Sequence, residues 1–166
     1  MMMTKLHRYS FWLLVLCLAA CFGPRDSNTN SGGAGELVTP PEGIAAVITL
    51  DNRGSSAWIV RSVVGQQVTE TGENSPWSLT VGERYTVVNT SNVQLHPFAL
   101  IDEQGNALVS QVNDRFAGAL QNDPGINVVV EGDSTTFTFT QALADQTDSY
   151  YCMTPHPLMR GDITIG

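Results

Sequence analysis

From Ile44 onward the chain is built of short apolar runs broken by turn residues. Ile44-Ala45-Ala46-Val47-Ile48-Thr49-Leu50 ends at Asp51-Asn52-Arg53-Gly54, and Trp58-Ile59-Val60-Arg61-Ser62-Val63-Val64 ends at Gly65. Trp77, Leu79 and Val81 alternate with Ser78 and Thr80 before a turn at Gly82-Glu83, and Tyr85-Thr86-Val87-Val88-Asn89 follows. Phe98-Ala99-Leu100-Ile101 and Ala107-Leu108-Val109 flank Asp102-Glu103-Gln104-Gly105-Asn106. Ile126-Asn127-Val128-Val129-Val130, the alternating Thr136-Phe137-Thr138-Phe139-Thr140, Tyr150-Tyr151-Cys152 and Ile163-Thr164-Ile165 complete the series. Such runs, with period two and β-branched or aromatic residues, predict strands. Their number and spacing predict an all-β sandwich or barrel. Helical pieces are expected only near residues 115–120 and 141–145, both short.

The first residues follow another pattern. Lys5 and Arg8 precede the apolar stretch Phe11 to Ala20, which is too short to span a bilayer and has the length of a secretory signal core. It ends in Leu18-Ala19-Ala20-Cys21, which resembles the bacterial lipobox. The resemblance implies a signal peptide over 1–20 and a lipidated Cys21 as the first mature residue, anchoring the protein without spanning the membrane. The other reading is a plain signal peptide with Cys21 a free thiol. Residues 21–42 are rich in Gly, Ser, Asn and Pro and read as a flexible linker. Residues 43–166 have the length of one domain. The expected location is the cell envelope: exported, held to a membrane by lipid, and facing the periplasm or the exterior.

Charge narrows the partners. The whole chain carries −8, and loss of residues 1–20 removes Lys5 and Arg8 but no acid, leaving −10. Nucleic acid is excluded as a natural partner, because phosphate binding needs basic patches. The expected body is a monomer that stays off anionic lipid except through its anchor.

The rarest side chains cluster. The chain has three histidines and three cysteines, and beyond the leader only His96, His156, Cys21 and Cys152 remain. Of five methionines only Met153 and Met159 lie past the leader, both in the run Tyr151-Cys152-Met153-Thr154-Pro155-His156-Pro157-Leu158-Met159-Arg160-Gly161. If Cys21 is acylated, Cys152 has no disulfide partner, and metal coordination explains a thiolate kept in an oxidising compartment. Taken singly, Cys152 reads as an inert core thiol, His96 as a structural imidazole and Met159 as a gap-filler. Taken together, two imidazoles, one thiolate and a weak axial thioether form the ligand set of a mononuclear blue-copper site. The expected metal ligands are therefore His96, Cys152, His156 and Met159. Met153 is the competing thioether, read as packing or as support to the ligands.

Three segments carry a family resemblance. Val81-Gly82-Glu83-Arg84-Tyr85-Thr86-Val87-Val88-Asn89 is similar to the stretch before the first ligand loop of cupredoxins in the plastocyanin, pseudoazurin and amicyanin group. His96 stands where that family places its upstream histidine, and Tyr151 to Gly161 resembles the ligand loop of amicyanin. The resemblance implies an eight-stranded Greek-key β-sandwich with one Cu(I)/Cu(II) ion near one end. Two departures stand out. Met153, Thr154 and Pro155 put three residues between Cys152 and His156, where amicyanin and plastocyanin have two. Pro97 follows His96, where many relatives have Asn or another residue with an N–H. Pro157 likewise follows His156, so neither position offers an N–H to the thiolate. The expectation from these prolines is a reduction potential at the lower end for the family.

The expected function is a one-electron carrier between two redox proteins at the cell envelope. A copper-binding module for storage, delivery or sensing is the alternative, and a cupredoxin-shaped adhesion or scaffold domain is a third. Catalysis is not expected. No open coordination position for substrate is evident, and the chain lacks the many histidines of multicopper oxidases.

Overall fold

Alternation along Ala46–Asn52 (β1) turns Ala46, Ile48 and Leu50 inward and leaves Val47 and Thr49 half-buried. The same period orders Trp58–Gly65 (β2), Arg84–Asn89 (β5) and Ser134–Thr138 (β9), whose inward residues include Trp58, Val60, Tyr85, Val87 and Phe137. The computed structural model describes residues 39–166 apart from Pro155, all within the compact unit Glu36–Gly166. The leader, Cys21 and the linker as far as residue 38 lie outside the described residues.

Among the described residues eleven strands form two mixed sheets. The first adds Gly72–Glu73 (β3) and Val129–Glu131 (β8) in the order β3-β2-β1-β5-β9-β8, with β1 and β5 parallel. The second comprises Trp77–Leu79 (β4), Phe98–Ile101 (β6), Ala107–Ser110 (β7), Ser149–Cys152 (β10) and Arg160–Ile165 (β11), in the order β4-β11-β10-β6-β7. Residues of both sheets share one buried apolar cluster, which also contains Cys152 and Met159. Each large aliphatic or aromatic side chain fully buried there contributes roughly 1.5–3 kcal/mol.

The resemblance implied eight strands; the three additional ones reflect short edge pairings, β3 having two residues and β4 and β8 three each. The strand expected over 126–130 is restricted to β8. Ile126 is buried in the core and its carbonyl accepts from Thr138, while Asn127 turns the chain at φ 49°. Among the described residues helix replaces strand only at Asn113–Phe116 (α1) and Gln141–Ala144 (α2). The first is earlier than expected. Ala119 and Leu120 instead donate to the carbonyls of Ala107 and Leu108 at 2.8 and 2.9 Å, which draws 118–120 out of any helix and against β7.

One glycine matters to the site. Gly161 pairs with Tyr150 across β10 and β11, and a Cβ at Gly161 would overlap the Tyr150 ring. That ring stacks on Trp77 with centroids 4.2 Å apart, and its hydroxyl donates to the Ser75 carbonyl at 2.8 Å. Tyr150 and Cys152 are two residues apart on β10, so the packing that seats the ring also aims the thiol inward.

Candidate metal centre

Cys152 ends β10 in register with Phe98 of β6. Its N–H donates to the Met159 carbonyl at 3.1 Å, and the N–H of Met153 donates to the Pro97 carbonyl at 3.0 Å. The thiol is therefore fixed between the segment that carries His96 and the loop that carries His156. That loop is tightly closed: His156 N–H donates to Thr154 at 2.6 Å, and Met159 N–H donates to His156 at 2.9 Å.

His96 lies two residues before β6, at the end of a turn in which its N–H donates to the Asn92 carbonyl at 2.7 Å. The fully buried Asn89, last residue of β5, holds it from below: its Nδ2 donates to the His96 carbonyl at 2.7 Å and to Gln111 Oε1 at 2.8 Å. Gln111 Nε2 in turn donates to the Asp133 carbonyl at 2.7 Å. Each of these buried amides has partners, which makes the network a rigid mount for the imidazole.

The three side chains meet. Cys152 Sγ is 3.8 Å from His96 Nδ1 and 3.6 Å from His156 Nδ1, and the two imidazole centroids are 4.8 Å apart. With metal–sulfur bonds of about 2.3 Å and metal–nitrogen bonds of about 2.05 Å, these sulfur–nitrogen separations correspond to angles of about 122° and about 112° at a shared ion. The three ligand atoms lie within 4.8 Å of one another. Two nitrogens sharing an ion at such bond lengths are at most about 4.1 Å apart, so binding closes the pair by a small side-chain rotation where they stand wider. The donor set fits one soft or borderline ion. Among the described residues this is the one convergence of three or more His, Cys, Asp or Glu side chains. A surface hollow lined by Asp102, Glu103, Asp145 and Asp148 shares no residue with it.

In the metal-free site His96 and Cys152 are both pushed toward their neutral forms. Burial, and then the neighbouring His156, lower the pKa of His96; burial raises that of Cys152. A cation reverses both pressures, since it favours the thiolate and takes the imidazole lone pairs.

The two methionines separate by face. Met159 is fully buried in the cluster that contains Cys152. Met153 packs with Tyr151 against Ala99, Ile101 and Ala107 in a second cluster.

Sequence reasoning missed two residues. Asn52, expected in a turn, is the last residue of β1, and its Nδ2 lies 3.2 Å from His96 Nε2. Thr154, within the lengthened loop, places its Oγ1 3.2 Å from Cys152 Sγ and 3.1 Å from His156 Nδ1. An extra polar residue between two ligands was the available signal for Thr154; Asn52 offered none, being 44 positions from His96. Comparison of the chain with family models, with curated proteins and with solved structures returns no match.

Proposed function

We propose that this chain is a type 1 copper protein of cupredoxin form, a Greek-key sandwich that carries single electrons between two redox proteins at the cell envelope. The observation that carries the reading is the buried Cys152 thiol facing the Nδ1 atoms of both His96 and His156 at 3.8 and 3.6 Å. Sulfur with two nitrogens, and the Met159 thioether buried in the same cluster, is a set that serves both Cu(I) and Cu(II). When bound, the ion supplies a one-electron couple.

The protein's part is to hold the ligands still. Asn89 and Gln111 fix the His96 backbone, the Tyr150 stack seats β10, and the hydrogen bonds of the 152–159 loop lock His156 to Cys152. A rigid site needs little rearrangement on electron transfer. Both imidazoles are half-buried, and Leu158, two residues after His156, is exposed, which would give a partner a close approach. Ligands closing round one ion leave no place for substrate, in keeping with a carrier rather than an enzyme. Lipidation at Cys21, by resemblance to the lipobox, would tether a monomer to the membrane.

Copper titration of the protein, followed by visible and electron paramagnetic resonance spectra, tests this reading. An intense thiolate-to-copper band that bleaches on reduction and returns on oxidation is the expected result. A colourless or irreversible copper complex overturns the carrier; rapid copper transfer to a chelator without a stable redox cycle would assign the site to storage or delivery instead. Cys21→Ala should release the protein from the membrane fraction or block its maturation, and equal membrane retention overturns the anchor.

A further inference from the structure

We propose that Thr154 Oγ1 is an additional oxygen donor of the metal centre, beside Cys152 and the two histidines. The inference rests on the copper reading above and concerns a side chain that the His, Cys and Met ligand set does not include.

The proton count makes the argument. A threonine hydroxyl has one proton and two lone pairs. That proton is committed, because Oγ1 donates to the Leu95 carbonyl at 2.6 Å. Both lone pairs therefore face Cys152 Sγ at 3.2 Å and His156 Nδ1 at 3.1 Å. In the metal-free protein the thiol and the imidazole satisfy them, S–H and Nδ1–H each donating to Oγ1. A metal ion displaces those two protons, since it binds thiolate and a bare nitrogen lone pair. The oxygen then loses both donors at once. Facing a thiolate and a metal-bound nitrogen, the half-buried oxygen has lost both donors; turned toward the cation it regains a partner.

The separations agree. With an oxygen–metal bond of about 2.2 Å, those to sulfur and to His156 correspond to angles of about 90° at the ion. The sulfur–nitrogen pairs correspond to about 112° and about 122° on the same bond lengths. Wide angles from sulfur to the two nitrogens, and near-right angles from the oxygen to sulfur and to His156, would leave room for the oxygen as a fourth donor. Leu95 immediately precedes His96, so the Thr154–Leu95 bond also straps the two ligand-bearing segments together and prevents the hydroxyl from turning away.

An oxygen donor is harder than a thioether and favours Cu(II) over Cu(I). Removing it should therefore raise the reduction potential. The full chain would be loaded with copper as wild type, Thr154→Ser and Thr154→Val. Thr154→Val is expected to keep the thiolate band, raise the Cu(I)/Cu(II) ratio several-fold at a fixed ambient potential, and change the copper hyperfine splitting. Thr154→Ser, which keeps the oxygen, should match wild type in all three. An unchanged ratio and splitting in Thr154→Val overturn the proposal, as does a Thr154→Ser change as large as that of the valine variant. A measurement on wild type alone covers failure of the variants to fold. Proton hyperfine spectra in water and deuterium oxide should reveal one strongly coupled exchangeable proton, that of the ligating hydroxyl, and its absence overturns the proposal. A wild-type protein without the thiolate band would instead refute the copper reading, and this inference with it.

Discussion

Asn52 touches His96 from the end of β1: its Nδ2 lies 3.2 Å from the imidazole Nε2 and donates to the Gly54 carbonyl at 2.8 Å. The contact orients the ring so that Nδ1, not Nε2, faces Cys152. A metal on Nδ1 places the ring proton on Nε2, where the amide, turned to present its oxygen, becomes the acceptor. Asn52→Leu should leave the sheets intact and lower copper affinity by about 10–100-fold, the usual cost of losing a ligand's supporting contact. Competition titration against a chelator of known affinity measures it, and an unchanged affinity would remove Asn52 from the site.

Two ligand variants should separate strong from weak contacts. Cys152→Ser is expected to abolish the visible band with the β fold retained, because the core rests on side chains from both sheets. Met159→Leu should keep the colour and shift the potential, since an axial thioether is long and weak. Circular dichroism and spectroelectrochemistry read both; a surviving band in the first, or complete copper loss in the second, contradicts the assigned roles.

Leu95 and Leu158 precede and follow the two histidines in sequence, His96 and His156, and are 58% and 66% exposed. Apolar side chains beside half-buried imidazoles suit brief docking that excludes water. Leu158→Glu should slow electron transfer to the natural partner with the spectrum unchanged. An unaltered rate would show that partners dock elsewhere.

Gly161→Ala should destabilise the protein by about 1–3 kcal/mol, as overpacking does. The added methyl meets the Tyr150 ring, which is confined by Trp77 and by its bond to Ser75. Urea unfolding would measure the loss, and a variant as stable as wild type would mean that the ring has room to shift.

The metal-free protein should show a pH window of stability. His96 has its pKa lowered by folding, so its unfolded form takes up protons more readily and stability falls as pH drops through the ordinary histidine value of 6.5. Cys152 has its pKa raised by folding, so its unfolded form ionises first and stability falls as pH rises through the ordinary value of 9.0. Thermal melts of chelator-treated protein across this range should be broadest in stability between those limits. A flat profile would mean that neither group feels its burial.

Much of this protein is legible along the chain. Alternation in Tyr85 to Asn89 and Thr136 to Thr140 marks strands because residues two apart share a face. The clustering of Cys152, His156 and Met159 marks a candidate metal loop because a thiolate, an imidazole and a thioether on one short span have a shared use. Those are local properties. Register and closure are not. Whether 126–130 would pair along its length depended on burying Ile126 rather than on its β-branched run, and the place of Met153 depended on which face of the sheet received it. Asn52 reaches His96 because β1 lies beside β5, and Thr154 reaches both Cys152 and His156 because its proton is drawn to Leu95, 59 positions away. Contacts across such separations arise when two sheets bury one core, and only the folded chain brings those atoms within hydrogen-bond distance.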